Sequence, residues 1–303
     1  MKDLLTYLPF RLLAGIFGLF PERVVRWIGE TGGSVAARRA KDGSPLLSSH
    51  MRRGLGPDAS AAEVRAEVRG MYRSYGRYWA ETFWFRPRRR QFILDNSEWV
   101  NFDPVYRAIE ENRGRIFALP HVGNWEVAGI VAEEIGTPVV AVAEHLSNQR
   151  ITDWFFKVRK EFGIDIILTS DPSRTKKLVR VLRGGGAVAL VSDRDVTGRG
   201  VEVTFFGEAT TMPSGPVALA DLTGADLIPV GSYFKDGRGH RLVVHDPVKL
   251  PSKKDVPNRD DRISAGVQVF AAHLEAIIRE SPHQWHLFQP NWPSDAALTE
   301  AAT

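Results

Sequence analysis

The sequence predicts an α/β fold: a largely parallel central sheet flanked by helices, with an N-terminal amphipathic helical segment that docks on a membrane. Two observations predict the sheet. From about residue 115 onward, short apolar runs of strand length alternate with helical patterns, and polar side chains follow several of these runs where they end. A third observation predicts the docking segment, because residues 1–28 are rich in Leu and Phe but interrupted by basic residues.

The apolar run of the N-terminal segment is too short to cross a membrane. The uninterrupted run covers Leu12–Phe20, whereas a spanning helix needs about 20 apolar residues. Pro21-Glu22-Arg23 is also a poor cleavage site for a signal peptide. We therefore expect a helix or helical hairpin that lies in the membrane interface, with Arg11, Arg23 and Arg26 directed toward lipid phosphates. The alternative is an N-terminal helix packed on the domain.

We divide the chain at residue 60, into N-terminal amphipathic helices and a loop over residues 1–60 and an α/β domain over residues 61–303. Glycine, proline and serine make residues 42–60 a loop-rich connection. Ser60 and Glu63 then form a capping-box pattern that opens a helix toward Phe85. Aromatic residues recur on that helix at spacings of three and four, which is more typical of core contacts than of a lipid-facing surface. They are Tyr72, Tyr75, Tyr78, Trp79, Phe83 and Trp84.

Strands and helices alternate after residue 115. The predicted strands are Ile116–Leu119, Val139–Ala143, Ile164–Leu168, Ala187–Ser192 and Leu227–Phe234, with Leu242–His245 as an edge strand. The predicted helices are Asn124–Glu134, Ser147–Phe162, Pro172–Arg183 and Gly215–Thr223, and a last helix carries an apolar stripe between Ile263 and Ile277. Such alternation is typical of a parallel sheet that is covered on both faces.

Composition excludes several classes of site. Hydrophobic residues make up 43% and charged residues 25% of the 303 residues, the balance of a globular protein. Because the chain has no cysteine, disulfides, thiolate metal sites and cysteine nucleophiles are excluded. The net charge of +4 suits anionic partners such as anionic lipid, but no nucleic-acid-binding module is recognisable and we expect no nucleic acid partner. The signatures of serine hydrolases, zincins, P-loop NTPases and dinucleotide enzymes are also missing.

His121 and Glu126 stand five positions apart, where an apolar strand runs into a helix. On one regular helix they would not share a face, because five residues turn through about 500°. A strand end that leads into a helix is the better geometry, since Pro120 stops the strand and Asn124 can cap the helix. His121 then lies at the carboxyl end of a strand, where open α/β sheets bind ligands. The alternative is a structural histidine at a buried turn.

Further polar residues follow other elements and can converge near His121. Glu144 follows the second strand, and Ala187–Ser192 runs into Asp193-Arg194-Asp195. This triplet favours either a polar-headgroup site or the metal-binding D-x-D of glycosyltransferases. Arg159 lies in an apolar context and needs a carboxylate or a ligand; an ion pair with Glu144 is the structural alternative. Glu202 is the single charge of an alternating apolar run, either facing solvent or serving as a second carboxylate for His121.

Six short motifs between about residues 70 and 293 identify a family when they are taken together. They are His-x4-Glu at 121 and 126, Asp193-Arg194-Asp195, Phe205-Phe206-Gly207, Thr-x-Pro-x-Gly-Pro at 211–216, Pro229 and Gln284-Trp285. This set resembles the bacterial lipid acyltransferases related to the late acyltransferases of lipid A synthesis. Within that family, residues 283–292 and 193–204 most resemble the actinobacterial branch that acylates phosphatidylinositol mannosides. The chain lacks the membrane-spanning N-terminal helix of the lipid A branch, which favours peripheral attachment, and the E-G-T-R block of glycerolipid acyltransferases.

The resemblance implies an acyl-CoA-dependent O-acyltransferase of glycolipids. Such an enzyme moves a long fatty acyl chain, in the first instance palmitoyl, from acyl-CoA to a mannose hydroxyl of phosphatidylinositol mannoside. It would work as a peripheral protein on the anionic surface at the cytoplasmic face of the plasma membrane. Acyl-CoA is a cosubstrate in this reaction, and we expect no cofactor and no metal.

The candidate residues suit this chemistry. His121 would act as general base on the attacking hydroxyl, and Glu126 or Glu202 would orient its ring. Four further candidates would hold hydroxyls and phosphate of the polar headgroup: Glu144, Arg159, Asp193 and Asp195. Two alternatives stay open, a membrane-associated metal-dependent glycosyltransferase and a non-catalytic membrane-binding module.

Overall fold

The computed structural model describes residues 2–40 and 44–300. Its helices are α1 (Lys2–Phe17), α2 (Glu22–Arg39), α3 (Pro45–Leu55), α4 (Ala61–Trp84), α5 (Arg90–Asp95), α6 (Asp103–Glu110), α7 (Trp125–Glu134), α8 (Gln149–Glu161), α9 (Arg174–Arg183), α10 (Gly215–Thr223), α11 (Arg259–Glu280) and α12 (Asp295–Glu300). Its strands are β1 (Ser97–Val100), β2 (Arg115–Leu119), β3 (Val139–Ala143), β4 (Asp165–Leu168), β5 (Ala187–Val191), β6 (Val201–Phe205), β7 (Glu208–Met212), β8 (Asp226–Phe234) and β9 (His240–Val244).

Seven strands form one sheet in the order β1-β9-β8-β2-β5-β3-β4. All neighbouring pairs in this sheet are parallel except β8 and β9, which are antiparallel. β6 and β7 form a separate antiparallel hairpin. The prediction of an α/β fold with a largely parallel central sheet is confirmed.

The prediction that Leu242–His245 forms an edge strand is wrong. The observed strand, β9, lies between β8 and β1, so that β1 takes the edge position and pairs with β9 in parallel. β1 has only four residues, Ser-Glu-Trp-Val. A run this short shows no recognisable period, which is why the sequence did not predict it.

Helices cover both faces of the central sheet. Successive residues of β2 point to opposite faces, as in any strand. Ile116 and Ala118 belong to a core cluster with residues of α10 and α11, whereas Phe117 and Leu119 belong to a cluster with residues of α6 and α7. Every residue of β2 is buried. The strand that leads to His121 therefore lies in the middle of the fold and is held from both sides.

The start and the packing of α4 agree with the prediction from the sequence. The Ser60 hydroxyl accepts the N–H of Glu63, and the Glu63 carboxylate accepts the N–H of Ser60, so the predicted capping box is formed. Tyr78, Phe83 and Trp84 are buried. The aromatic stripe thus belongs mainly to the core, which was the favoured interpretation.

The N-terminal segment packs on the domain through α2 and leaves apolar side chains exposed around α1. A Cβ on Gly29 would lie 2.6 Å from the carbonyl oxygen of Gly76 in α4, so α2 approaches α4 as closely as helix backbones allow. Eight large apolar side chains are exposed between residues 8 and 27: Leu8, Leu12, Leu13, Ile16, Leu19, Phe20, Val24 and Trp27. Within residues 2–40 and 44–300, no helix combines the length and the hydropathy that a membrane crossing requires.

The prediction of a loop over residues 42–60 is wrong for most of its length. Residues 45–55 form α3, with Pro45 in the first turn. His50 and Met51 are completely buried, so tertiary burial outweighs the weak helical propensity of the local glycine and serine residues. Residues 42 and 43 of the predicted loop lie outside the described residues.

Candidate active site

The loop that carries His121 is tied to the C-terminal segment by backbone hydrogen bonds. The N–H of Gly123 donates to the carbonyl of Gln284 at 2.9 Å, and the N–H of His286 donates to the carbonyl of His121 at 2.8 Å. Gly123 has a φ of 58°, and a Cβ there would lie 2.1 Å from the carbonyl oxygen of Ser232. Only glycine fits this turn. The direction in which the His121 side chain leaves the backbone is therefore determined by distant parts of the chain.

Asp193 is the carboxylate that contacts the His121 ring. It follows β5, the strand that pairs with β2, and its Oδ1 lies 2.7 Å from His121 Nδ1. Asp193 Oδ2 accepts the backbone N–H of His121 at 3.1 Å and the indole N–H of Trp285 at 2.8 Å. The side chain of Asp193 has no exposed surface, whereas that of His121 is 27% exposed. A buried and fully hydrogen-bonded carboxylate thus holds an accessible imidazole.

These hydrogen bonds determine the protonation state of the pair. Asp193 Oδ1 accepts a hydrogen bond from Nδ1–H of His121, which leaves Nε2 of the neutral ring as an acceptor. Burial raises the pKa of Asp193, but the charge of His121 and the three donated hydrogen bonds outweigh burial and hold that pKa below its ordinary value. Asp193 is therefore ionised at neutral pH. It can stabilise the imidazolium that forms when Nε2 takes a proton.

Glu126, predicted to orient the His121 ring, is held by Arg159 instead. Arg159 Nη2 lies 2.6 Å from Glu126 Oε1, and Arg159 Nε lies 3.0 Å from Glu126 Oε2. The alternative ion pair between Arg159 and Glu144 is not formed, because α8 places Arg159 beside the first turn of α7. Glu144 lies 3.6 Å from Arg194. The carboxylate in contact with the His121 ring is therefore that of Asp193, which the sequence analysis had assigned to substrate binding.

Asn124 precedes α7, but its side chain makes no helix cap. Its amide donates to Glu81 Oε2 at 2.9 Å, and the same oxygen lies 2.8 Å from His240 Nε2. Arg77 donates to the other oxygen of Glu81 at 2.8 Å. Burial raises the pKa of Glu81, but His240 and Arg77 outweigh it and hold the pKa well below its ordinary value. A buried polar network on α4 thus anchors the start of α7 close to His121.

The remaining predicted residues lie at different places. Glu144 and Asp195 line the same open cavity as His121, whereas Glu202 does not. Glu202 is exposed on β6 and lies opposite Thr211 in the hairpin, so it occupies the solvent-facing position and its catalytic role stays a prediction. The Asp195 carboxylate accepts a hydrogen bond from Thr211 Oγ1 at 3.1 Å and others from its own loop. In the part of the chain that the structure describes, no three His, Asp or Glu side chains are grouped to hold a metal ion.

Two cavities meet beside His121. The open cavity is the one that His121 lines. The apolar cavity lies between the sheet and α7, and its lining is apolar except for Glu126 and Arg159. The cavities share four lining residues: Trp125, Val142, Arg159 and Val191. The imidazole therefore lies where an open cavity that carries charged and hydroxyl groups meets an apolar one.

Two residues of the site had no predicted role. Trp285 appeared only as part of a motif, and His286 lines the open cavity. His286 is fully buried among aromatic rings, with its Nε2 2.7 Å from Ser74 Oγ. Burial, together with the charge of His121, lowers the pKa of His286 to about 3. Neither residue stands at a meaningful spacing from His121, so no local pattern could have revealed these contacts.

Comparisons with known proteins agree with the motifs. The family described as bacterial lipid A biosynthesis acyltransferase matches residues 4–294. A relative named phosphatidylinositol mannoside acyltransferase, from Mycolicibacterium smegmatis, is 32% identical over 279 residues, which is 91% of this chain and 87% of the relative. A relative of the same name from Mycobacterium tuberculosis is 32% identical over 286 residues, 93% of this chain and 87% of the relative. The resemblance predicted from the motifs is confirmed, and the chain belongs to the bacterial lipid A biosynthesis acyltransferase family.

Proposed function

We propose that this chain transfers a long fatty acyl group, in the first instance palmitoyl, from acyl-CoA to a mannose hydroxyl of phosphatidylinositol mannoside, with His121 as general base. The position of His121, where the open cavity with its charged and hydroxyl groups meets the apolar cavity, carries the proposal. Acyl transfer to a sugar needs these two environments side by side, one for a fatty chain and one for a hydroxylated acceptor. The names of the mycobacterial relatives supply the acceptor.

The apolar cavity suits the acyl chain of the donor. Its lining is apolar except for Glu126 and Arg159, as a fatty chain requires. One wall follows α7 from Trp125, at the mouth shared with the open cavity, to Ile135. At 1.5 Å per helical residue this wall is about 15 Å long. A fatty chain inserted along α7 would leave its thioester at the mouth, beside His121.

The chemistry at the mouth follows from the state of the His121–Asp193 pair. The acceptor hydroxyl loses its proton to His121 Nε2 as its oxygen forms a bond to the thioester carbonyl carbon. The carbon–sulfur bond then breaks, and the departing thiolate of CoA takes the proton from the imidazolium. Asp193 stabilises the imidazolium in between. General-base assistance of this kind contributes roughly 10² to 10⁴ in rate.

Transfer is direct in this proposal. The chain has no cysteine, and its serines stand in no nucleophile motif, so an acyl-enzyme is not expected. Because a thiolate is a good leaving group, the site needs no separate strong acid. The pair formed by His121 and Asp193 is sufficient for the proton transfers.

The N-terminal helices support a peripheral site of action. The exposed apolar side chains between residues 8 and 27 are accompanied by Arg11 and Arg23, which are also exposed. Apolar side chains in the acyl region and basic side chains at the phosphates are typical of interfacial helices. We propose that this surface docks on the anionic cytoplasmic face of the plasma membrane, where both lipid substrates would be accessible.

Mass spectrometry of the products tests the proposal. The purified chain is incubated with palmitoyl-CoA and a mannosylated phosphatidylinositol, and the product is expected to gain one palmitoyl group on mannose. His121→Ala should abolish transfer while circular dichroism stays unchanged, and His273→Ala, which removes a histidine of α11 outside the cavity lining, should retain activity. Wild-type turnover by His121→Ala would refute the role of the general base. Release of CoA at the same rate with and without the acceptor would refute transfer to the sugar.

A further inference from the structure

We propose that Arg174 and Arg194, which line the part of the open cavity that extends from β5 toward β4, form a phosphate-binding site. The phosphate would belong to coenzyme A or to the phosphatidylinositol of the acceptor, which are the phosphate-bearing substrates of the proposed function. The identity of the ligand therefore rests on that function, whereas the existence of the site rests on the geometry of the two arginines. Neither arginine was among the site residues predicted from the sequence.

Arg174 is a cation in the cavity without a carboxylate to neutralise it. It is the first residue of α9, and its Nη1 donates to the carbonyl of Thr169 after β4. Within residues 2–40 and 44–300, no carboxylate oxygen lies within 4 Å of its guanidinium. One hydrogen bond to a carbonyl leaves most of its five N–H donors for a ligand. A planar guanidinium with free donors is the side chain best suited to a phosphate.

Arg194 faces the same cavity and is only loosely neutralised. Its Nη2 lies 3.6 Å from Glu144 Oε2, longer than a hydrogen bond, and Glu144 is 45% exposed. The Nε of Arg194 is buried and has no hydrogen-bond partner among the described residues. Its side chain is 21% exposed. A buried donor without an acceptor destabilises a folded protein, and few are found in native structures. The arginine is therefore a candidate to donate hydrogen bonds to a ligand.

The charged groups around the cavity are paired to different degrees. Four arginines and two carboxylates line it: Arg159, Arg174, Arg194, Arg259, Glu144 and Asp195. Arg159 is neutralised by Glu126, and Arg259 lies 3.7 Å from Asp221. Asp195 is occupied by the hydrogen bonds of its own loop. Among the described residues, Arg174 therefore has no carboxylate partner, and Arg194 is paired only loosely with Glu144. The first turn of α9 adds its positive dipole end at Arg174, since Ser173 supplies no side-chain cap.

The place of the two arginines in the sheet determines their distance from the chemistry. His121, Arg194 and Arg174 follow β2, β5 and β4, and β3 lies between β5 and β4. With about 4.8 Å between neighbouring strands, β4, which leads to Arg174, is about 14 Å from β2, which leads to His121. A phosphate held there must be joined to the reacting atoms by a long arm. The pantetheine arm of coenzyme A and the glycan and inositol of the acceptor both meet this requirement.

The direct test is binding of two soluble phosphate probes, coenzyme A and glycerophosphoinositol, measured by isothermal titration calorimetry on the full chain. The variants are Arg174→Gln and Arg194→Gln. The matched control is Arg180→Gln, which removes an exposed arginine of α9 outside the cavity. We expect both cavity variants to bind one of the two probes at least about tenfold more weakly than wild type, and the control to bind it normally. If Arg174→Gln fails to fold, Arg194→Gln carries the test.

The probes distinguish the source of the phosphate and separate this proposal from the function. Loss of coenzyme A binding, with a higher KM for palmitoyl-CoA, assigns the site to the donor; loss of glycerophosphoinositol binding, with a higher KM for the mannolipid, assigns it to the acceptor. The site is refuted if the wild type binds neither probe or if the cavity variants bind like the control. A chain that binds a probe through Arg174 but transfers no acyl group would refute the function and leave the site standing.

Discussion

The indole nitrogen of Trp285 lies 2.8 Å from Oδ2 of Asp193, the carboxylate whose other oxygen holds the imidazole of His121. Trp285 is completely buried and lies in the segment that is tied to the His121 loop through backbone hydrogen bonds. The C-terminal segment thus orients the loop that carries His121 and also donates a hydrogen bond to Asp193. The packing of the C-terminal segment therefore determines the geometry of the His121–Asp193 pair.

Trp285→Phe should lower kcat by more than its loss of folding stability can explain. The ring stays in place, but Asp193 loses a hydrogen bond to a charged acceptor, which is worth roughly 1.5 to 3 kcal/mol. Trp292→Phe is the matched control, because its indole N–H donates to the carbonyl of Phe205 in the same aromatic cluster. We expect kcat to fall about tenfold for Trp285→Phe and to stay near wild type for Trp292→Phe. Urea denaturation should show similar losses of unfolding free energy for the two variants. Equal kcat values for the two variants would contradict this role of Trp285.

Asp193→Asn tests which carboxylate serves His121. An amide at this position can donate to Nδ1 and stabilise the tautomer in which Nε2 carries the proton, so the base is lost. We expect kcat to fall by about 10² to 10⁴. Glu202→Gln and Glu126→Gln are measured beside it, because the sequence suggested these residues as partners. If Glu202→Gln loses as much activity as His121→Ala while Asp193→Asn stays active, then Glu202 is the partner in the working enzyme.

Filling the apolar cavity should shorten the acyl chain that the enzyme prefers. Ala132 lies on the cavity wall, about 10 Å along α7 from Trp125 at 1.5 Å per residue. Ala132→Leu should reduce kcat/KM for palmitoyl-CoA about tenfold and leave octanoyl-CoA, with half the chain length, nearly unaffected. Glu134→Leu adds bulk on the exposed side of the same helix and should change neither value. An equal reduction for both donors would show that the chain binds elsewhere.

His286 should make the protein less stable as the pH falls below 7. Its pKa is lowered to about 3 in the folded chain, whereas an unfolded histidine titrates near 6.5. Below about pH 7 the unfolded state therefore binds a proton that the folded state does not bind. The free energy of unfolding decreases from about pH 7 down to pH 3. Linkage predicts that the wild type loses about 2 kcal/mol more between pH 7 and pH 5 than His286→Phe does.

Urea denaturation at the two pH values measures this difference. His145→Asn, which replaces an exposed histidine, should lose as much stability as wild type over the same interval. If His286→Phe keeps the full pH dependence of the wild type, then His286 titrates normally and is not desolvated as the structure shows.

Much of the fold could be predicted because its signals are local. The capping box at Ser60 and Glu63 and the alternation of strands and helices after residue 115 each lie within one short window. The errors arose where local signals are weak. The helix at Pro45–Leu55 exists because His50 and Met51 are buried by distant segments, and the short strand Ser97–Val100 acquires its structure from pairing with β9.

The sequence by itself determined that His121, Glu144 and Asp193 lie at one edge of a parallel sheet, because the carboxyl ends of parallel strands face the same way. Only the tertiary structure decided which of them touch. Strand order depends on packing between residues far apart in the chain, and it places β5 rather than β3 beside β2. Asp193 therefore contacts His121, whereas Glu126 forms an ion pair with Arg159. Trp285, which is far away in the chain, donates a hydrogen bond to the Asp193 carboxylate.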